Sequence, residues 1–219
     1  IFSTSEGYLR SINAGDHILC KSSTAGQKHP GRLAVWYILT AGGSLQRIVS
    51  GSYAFLDMSF DEGAMIEPLA VAVHAIRQAG DVTGLKIAVL GAGPIGILVA
   101  QAAKGMGAQS VMVTDISDVR LAKAKECGAD YCVNTKNTDF GDAMLEYFGP
   151  DKADVIYDCA GNDITMGQAI KHARKGSTII LVAVFASMAK VDLAVLNDHE
   201  LDLNTTMMYR NEDYLDAIR

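Results

Sequence analysis

The chain has 219 residues, 49% hydrophobic and 20% charged, which is enough apolar material for a sizeable core and too much for an intrinsically disordered chain. Its 19 basic and 25 acidic residues give a formal charge of −6 with no long basic run, which argues against nucleic acid and anionic membrane as partners. The four cysteines form no C-x-x-C pair and suit buried free thiols in a reducing cytoplasm, while the apolar stretches 87–103 and 178–189 are too short or too broken to span a bilayer.

Ile1 to Gly7 opens no recognisable element, and no basic segment precedes an apolar one, so the expectation is a cytoplasmic protein whose sequence was cut upstream. Residues 1 to about 60 carry short β-type runs at 17–20, 33–39 and 46–49, separated by turn signals at 14–16, 30–31 and 41–43. They read as part of a small β-rich domain, residues 1–66. From Ser59 to Gln78 the pattern becomes helical, with acids near the start and Arg77 near the end, and Pro68 marks an expected break or a fresh first turn. Gly80 to Gly84 is the turn into the first strand of a second domain, taken as residues 67–219.

That domain is organised around residues 86–115. An apolar run, Ile87 to Leu90, enters Gly91-Ala-Gly93-Pro94-Ile95-Gly96, and an apolar helical stretch follows. Gly91 permits a tight turn, Gly93 lets a pyrophosphate approach the backbone, and Gly96 allows close packing of helix on strand. The free N–H groups and positive end of the helix suit phosphate, and Pro94 fits its first turn. A second strand, Ser110 to Asp115, places an acid about twenty residues on, as a dinucleotide fingerprint requires. A carboxylate at Asp115 suits the ribose hydroxyls of NAD and opposes the 2′-phosphate of NADP. Arg120, just beyond, reads either as a base that serves a phosphate or as a solvated residue of the next helix.

Strands and helices then alternate. Ser117 or Asp118 is a candidate cap for a helix at 119–127 that Gly128 ends, followed by a strand at 131–133 and a helix at 140–147. A strand at 153–158 enters Cys159-Ala160-Gly161-Asn162. A helix at 164–174, an apolar strand at 177–185 and a sixth strand at 201–209 complete the pattern. The fold class is therefore α/β, a doubly wound parallel Rossmann sheet beside the partial β-rich domain.

The segments Glu67-Pro-Leu-Ala-Val-Ala-Val-His74, Gly91-Ala-Gly-Pro-Ile-Gly96, Thr114-Asp115, Cys127-Gly-Ala-Asp130, Asp158-Cys-Ala-Gly161 and Thr178 to Val182 together resemble the medium-chain dehydrogenase/reductase superfamily. More narrowly they resemble its zinc-dependent polyol dehydrogenases, the sorbitol, xylitol and L-iditol group, over residues 55–219. The resemblance implies a GroES-like catalytic domain at the N-terminal side and hydride transfer from a polyol or other secondary alcohol to NAD. It also implies a zinc ion near Glu67, as ligand or through its water, and a homo-oligomer, dimer or tetramer. It puts Val182, Val184, Cys159 and Ala160 beside the cofactor and Tyr209 near the substrate, although Met208 stands where the family often has Arg.

Read on its residue type alone, Glu67 is an acid at a helix start, and His74 is a packed or surface histidine. The family's Cys-Gly and Gly-His-Glu zinc segments are missing upstream of Glu67, where His17, Cys20 and His29 are the candidate soft or imidazole ligands. A lone carboxylate does not hold a catalytic zinc. The expectation is an NAD-dependent polyol or alcohol dehydrogenase with its cofactor domain intact and its catalytic domain and C-terminal elements incomplete. The alternative is an NAD-binding module without the chemistry. A quinone reductase, disfavoured by Asp115 and the regular glycine motif, and a methyltransferase rank lower.

Overall fold

The computed structural model describes residues 17–21, 36–39, 45–49, 52–56 and 60–218. The three N-terminal turn signals and His29 lie outside the described residues, as do the side chains of His17 and Cys20. The chain divides into two units, and the division falls within one helix, between Glu67 and Pro68.

In the first unit, β1 (His17–Lys21), β2 (Trp36–Leu39), β3 (Leu45–Val49) and β4 (Ser52–Leu56) form an antiparallel meander in chain order. Strand β4 is not among the runs expected from sequence. It pairs with β3 from Val49 opposite Ser52 to Leu45 opposite Leu56, and the Ser50-Gly51 dipeptide between them is a turn signal. Helix α1 (Phe60–Arg77) runs through Pro68 without the expected break. Proline removes one helical N–H, but the carbonyl it orphans belongs to Ala64, which is exposed and therefore open to water.

The second unit runs β5 (Lys86–Leu90), α2 (Pro94–Gly105), β6 (Ser110–Asp115), α3 (Asp118–Glu126), β7 (Tyr131–Asn134) and α4 (Phe140–Phe148). It continues with β8 (Val155–Asp158), α5 (Asp163–His172), β9 (Thr178–Leu181), α6 (Leu193–Asp198), β10 (Asp202–Thr205) and α7 (Asn211–Ile218). The six strands are parallel in the order β10-β9-β8-β5-β6-β7. The chain thus builds outward in one direction from β5 and then, from β8, in the other. The reversal leaves a crevice at the carboxyl ends of β5 and β8, where ligands of such sheets bind.

The sheet is covered on both faces, as its unbroken apolar strands require. Along β5 the side chains alternate: Ile87 and Val89 pack with α2, α3 and the α1 residues Val73 and Ile76, whereas Ala88 and Leu90 pack with Phe140 and Met144 of α4 and Ile170 of α5. All four β5 residues from Ile87 to Leu90 are fully buried.

Several boundaries differ from expectation for local reasons. Ser117 occupies the α3 N-cap position without capping through its side chain, and Asp118 instead accepts a hydrogen bond from Asn134 Nδ2 at 2.7 Å. Strand β9 ends at Leu181 rather than Phe185 because the Val182 and Ala183 N–H groups both turn onto the Asp158 carbonyl. Strand β10 is four residues long, and α6 and α7 were not expected at all. Helix α7 is fastened to α1 by Asp213, which is 1% exposed and accepts from His74 Nδ1 at 2.8 Å, Arg77 Nη1 at 2.5 Å and the Arg210 N–H at 2.7 Å. His74 is thus a packed histidine engaged with a carboxylate.

Candidate functional site

A cleft of about 380 Å³ opens at the strand reversal, in the size range of small-molecule sites. The glycine turn, the end of β6, the β8–α5 turn and the first turns of α5 line it. Each wall is shaped by a carboxylate.

Gly91 leaves β5 with φ +101°, a conformation that favours glycine, and its N–H donates to the Thr114 carbonyl at 2.7 Å. A Cβ on Gly96 would lie 1.8 Å from the Gly91 carbonyl oxygen, so the close approach of α2 to the turn admits no side chain there. A Cβ on Gly93 would meet nothing within 4 Å, so this residue faces open space. Gly93 is the N-cap of α2 and has no side chain to occupy the first-turn amides, and Pro94 fills the first helical position as expected. Ile95 packs its side chain against the core. The amide-rich end of α2 thus faces a concavity, an arrangement suited to phosphate oxygens.

Asp115 ends β6 and is buried to 8% exposure. Its Oδ2 accepts the Ala92 N–H at 2.8 Å, and its Oδ1 accepts the Ser117 N–H at 2.9 Å. Each carboxylate oxygen has a second lone pair, so the group retains capacity for ligand hydroxyls while it ties β6 to the glycine turn. Arg120 Nη1 lies 3.6 Å from Asp115 Oδ2, with its side chain 62% exposed. Arg120 is thus solvated and stands beside the acid.

Opposite, Cys159, Ala160 and Asn162 line the cleft from the β8–α5 turn. Asp158, fully buried, holds this turn: its Oδ1 accepts the N–H groups of Ala160 at 3.0 Å and Gly161 at 3.1 Å, and its Oδ2 accepts the Thr165 hydroxyl at 3.2 Å. Burial pushes the Asp158 carboxyl up, opposed by those donors, and burial with the adjacent Asp158 charge pushes the half-buried Cys159 thiol far up. Cys127 and Cys132 are likewise free and only half-buried, against the expectation of full burial. Asp158 was read from sequence only as part of a motif. Its position at a strand end, just before a small-residue turn, was the signal that it shapes the site.

Two apolar side chains stand exposed at the cleft, Ile116 at 57% and Ile164 at 73%. Neither was singled out from sequence, although each follows a cleft acid or turn. Val182 is half-buried beyond β9, and Val184 is largely exposed; neither is among the residues that line the cleft. Tyr209 also lies off the cleft lining, its ring 5.4 Å from that of Tyr214.

Glu67 is half-buried on α1, in the first unit. Among the described residues no group of three or more His, Cys, Asp or Glu side chains gathers as metal ligands would, so the described donors do not fit a zinc ion. No described helix is long and apolar enough to cross a membrane.

Comparison with known proteins gives a consistent result. The profile of the zinc-binding dehydrogenase family matches residues 94–219. The sorbitol dehydrogenase of Bos taurus is 39% identical over 157 residues, 71% of this chain and 44% of that protein. The chain thus spans about half the length of the curated relatives it matches. Among solved structures, 2R,3R-butanediol dehydrogenase from Bacillus subtilis superposes with a TM-score of 0.70 at 28% identity, covering 78% of this chain and 50% of that one. An alcohol dehydrogenase from Escherichia coli CFT073, complexed with NADH, gives a TM-score of 0.67 at 26% identity, covering 78% and 51%.

Proposed function

Since the chain belongs to the zinc-binding dehydrogenase family, we propose that its cleft holds NAD and serves oxidation of a polyol or other secondary alcohol. The observation that carries this reading is Asp115, a buried acid at the end of the second strand, clamped to a glycine turn at the strand reversal.

In this reading the Gly91–Gly96 turn and the α2 amides take the pyrophosphate, and Asp115 accepts the hydroxyls of the adenosine ribose. Ile116 and Ile164 flank the adenine, which suits exposed branched side chains beside a flat ring. Cys159, Ala160, Val182 and Val184 belong to the nicotinamide side. Bound there, the dinucleotide supplies the hydride acceptor. The carboxylate of Asp115 favours NAD over NADP by repelling a 2′-phosphate, and Arg120, already near that carboxylate, is only a partial counterweight.

Glu67 and Tyr209 are assigned to the metal and substrate sides on the resemblance alone. The described donors by themselves do not fit a zinc ion. Sorbitol, for which the bovine relative is named, is the first small-molecule substrate to test. A cytoplasmic homo-oligomer, dimer or tetramer, is part of the same reading; it draws support from β10, which lies at the edge of the sheet among the described residues.

The test is NADH formation by the purified chain with sorbitol and simple secondary alcohols, beside its zinc content and an NAD titration. Alcohol-dependent NADH formation supports the dehydrogenase. NAD binding without turnover supports the alternative, a binding module without the chemistry, and failure to bind NAD overturns both.

A further inference from the structure

Ile164, Thr165 and Gln168 bring the first turns of α5 to the cleft. Ile164 and Gln168 stand one helical turn apart on the same face, an exposed branched apolar side chain beside a half-buried amide. Their polar neighbours on this wall are engaged in the fold. Asn162 Oδ1 caps α5, accepting the Ile164 N–H at 2.9 Å and the Thr165 N–H at 3.1 Å, and the Thr165 hydroxyl donates to Asp158 Oδ2 at 3.2 Å. Gln168 makes no hydrogen bond among the described residues. Both ends of its amide, a carbonyl acceptor and an NH2 donor, are left for whatever fills the cleft.

A ligand that satisfies this amide and also lies against Ile164 is a flat ring whose edge carries a donor next to an acceptor. Adenine has such an edge on either side of its 6-amino group, which lies between N1 and N7. A glutamine amide matches it by accepting from the amino group and donating to a ring nitrogen. The cleft has room for this ring beside the acid that would hold its ribose. Ile116 follows Asp115 in the chain, and both line the cleft together with Ile164 and Gln168. With the faces of the ring against the two isoleucines, its edge is left for the Gln168 amide.

We propose that Gln168 is a specificity-determining residue of the cleft, whose amide reads the 6-amino edge of adenine. This rests on the reading of the cleft as a dinucleotide site with the adenosine ribose at Asp115. It differs from a role in filling space or in pairing with the nicotinamide carboxamide, since either of those is blind to the adenine edge.

The test is calorimetric titration of the chain and its Gln168→Leu variant with NAD and with its 1,N6-ethenoadenine analogue, in which a bridge across N1 and N6 removes the amino N–H groups. Leucine is a good helix former, so α5 is retained while the amide is lost. The unsubstituted chain is expected to bind NAD about tenfold more tightly than the analogue, as for one bidentate amide–adenine pair. In the variant the ratio is expected to fall close to one, because NAD binding weakens and analogue binding does not. Equal binding of the two by the unsubstituted chain, or an unchanged ratio in the variant, overturns the proposal and leaves the cleft reading intact. If the unsubstituted chain binds neither, the cleft reading falls and the proposal with it. Should the Leu variant fail to fold, Gln168→Glu, which keeps an acceptor but loses the donor, carries the same comparison, and an unchanged ratio again overturns the proposal.

Discussion

The carboxylate of Asp115 accepts the N–H of Ala92 at 2.8 Å, a bond between the end of one strand and the glycine turn that follows its neighbour. The residue that would select the cofactor thus also holds the loop that would bind its phosphates. The two roles separate under substitution. Asp115→Ala leaves the Ala92 and Ser117 amides unpaired, with an expected loss of about 1–3 kcal/mol in urea unfolding together with weak binding of any dinucleotide. Asp115→Asn keeps an acceptor and removes the charge, so it is expected to retain most of the stability while narrowing the gap between NAD and NADP affinities. An Asn variant that keeps the original NAD preference would show that the carboxylate does not select.

Gly96→Ala is expected to be severe although it adds one methyl group. The new Cβ would sit 1.8 Å from the Gly91 carbonyl oxygen, which is backbone and cannot swing aside. The helix must move, at a cost of at least the ~1–3 kcal/mol of an overpacked core, and phosphate binding falls with it. Gly93→Ala meets no atom within 4 Å in the unliganded chain and is expected to cost little stability while weakening dinucleotide binding. Equal stability losses for both variants would contradict the distinct roles given to the two glycines.

Asp213→Ala removes the common acceptor of His74, Arg77 and the Arg210 amide. Breaking a buried ion pair costs about 3–5 kcal/mol, and the low end is expected because the Arg77 side chain is 34% exposed and rehydrates. Hydrogen exchange across α7 is the direct readout. Protection there that matches the unsubstituted chain would show that the helix is held by its apolar side alone.

His172 supplies a pH dependence. Burial beside the Phe140 ring holds its pKa below the ordinary 6.5, with Asp139 opposing the shift only in part. The unfolded chain therefore takes up this proton first as the pH falls, so the stability from neutral His172 is complete above about pH 6.5 and is lost as the pH falls through the folded value. Thermal unfolding between pH 7.5 and 5.5 should show a shallower loss in His172→Gln than in the parent. Identical slopes would place His172 outside the linkage.

The glycine turn, the acid at the end of β6 and the order of strands and helices were legible because each is a local pattern: a period, a spacing or a residue type at a fixed offset. What was missed depends on partners distant in sequence. The end of β9 lies where the Val182 and Ala183 amides find the Asp158 carbonyl, which no reading of 177–185 reveals, since the run remains apolar. Helix α7 did carry a start signal, Asn211 followed by Glu212 and Asp213, but its hold on the fold comes from His74 and Arg77, more than 130 residues away. Strand β4 was likewise decided by its pairing with β3. Ile116 and Ile164 are ordinary in sequence and acquire meaning only from their exposure at the cleft.

The central claim is that the cleft at the strand reversal is an NAD site selected by Asp115, and side-by-side equilibrium titration of the purified chain with NAD and NADP tests it most directly. The account predicts saturable binding of NAD, at least about tenfold tighter than NADP, with the preference reduced in Asp115→Asn. Tighter binding of NADP, or no binding of either dinucleotide, would contradict it.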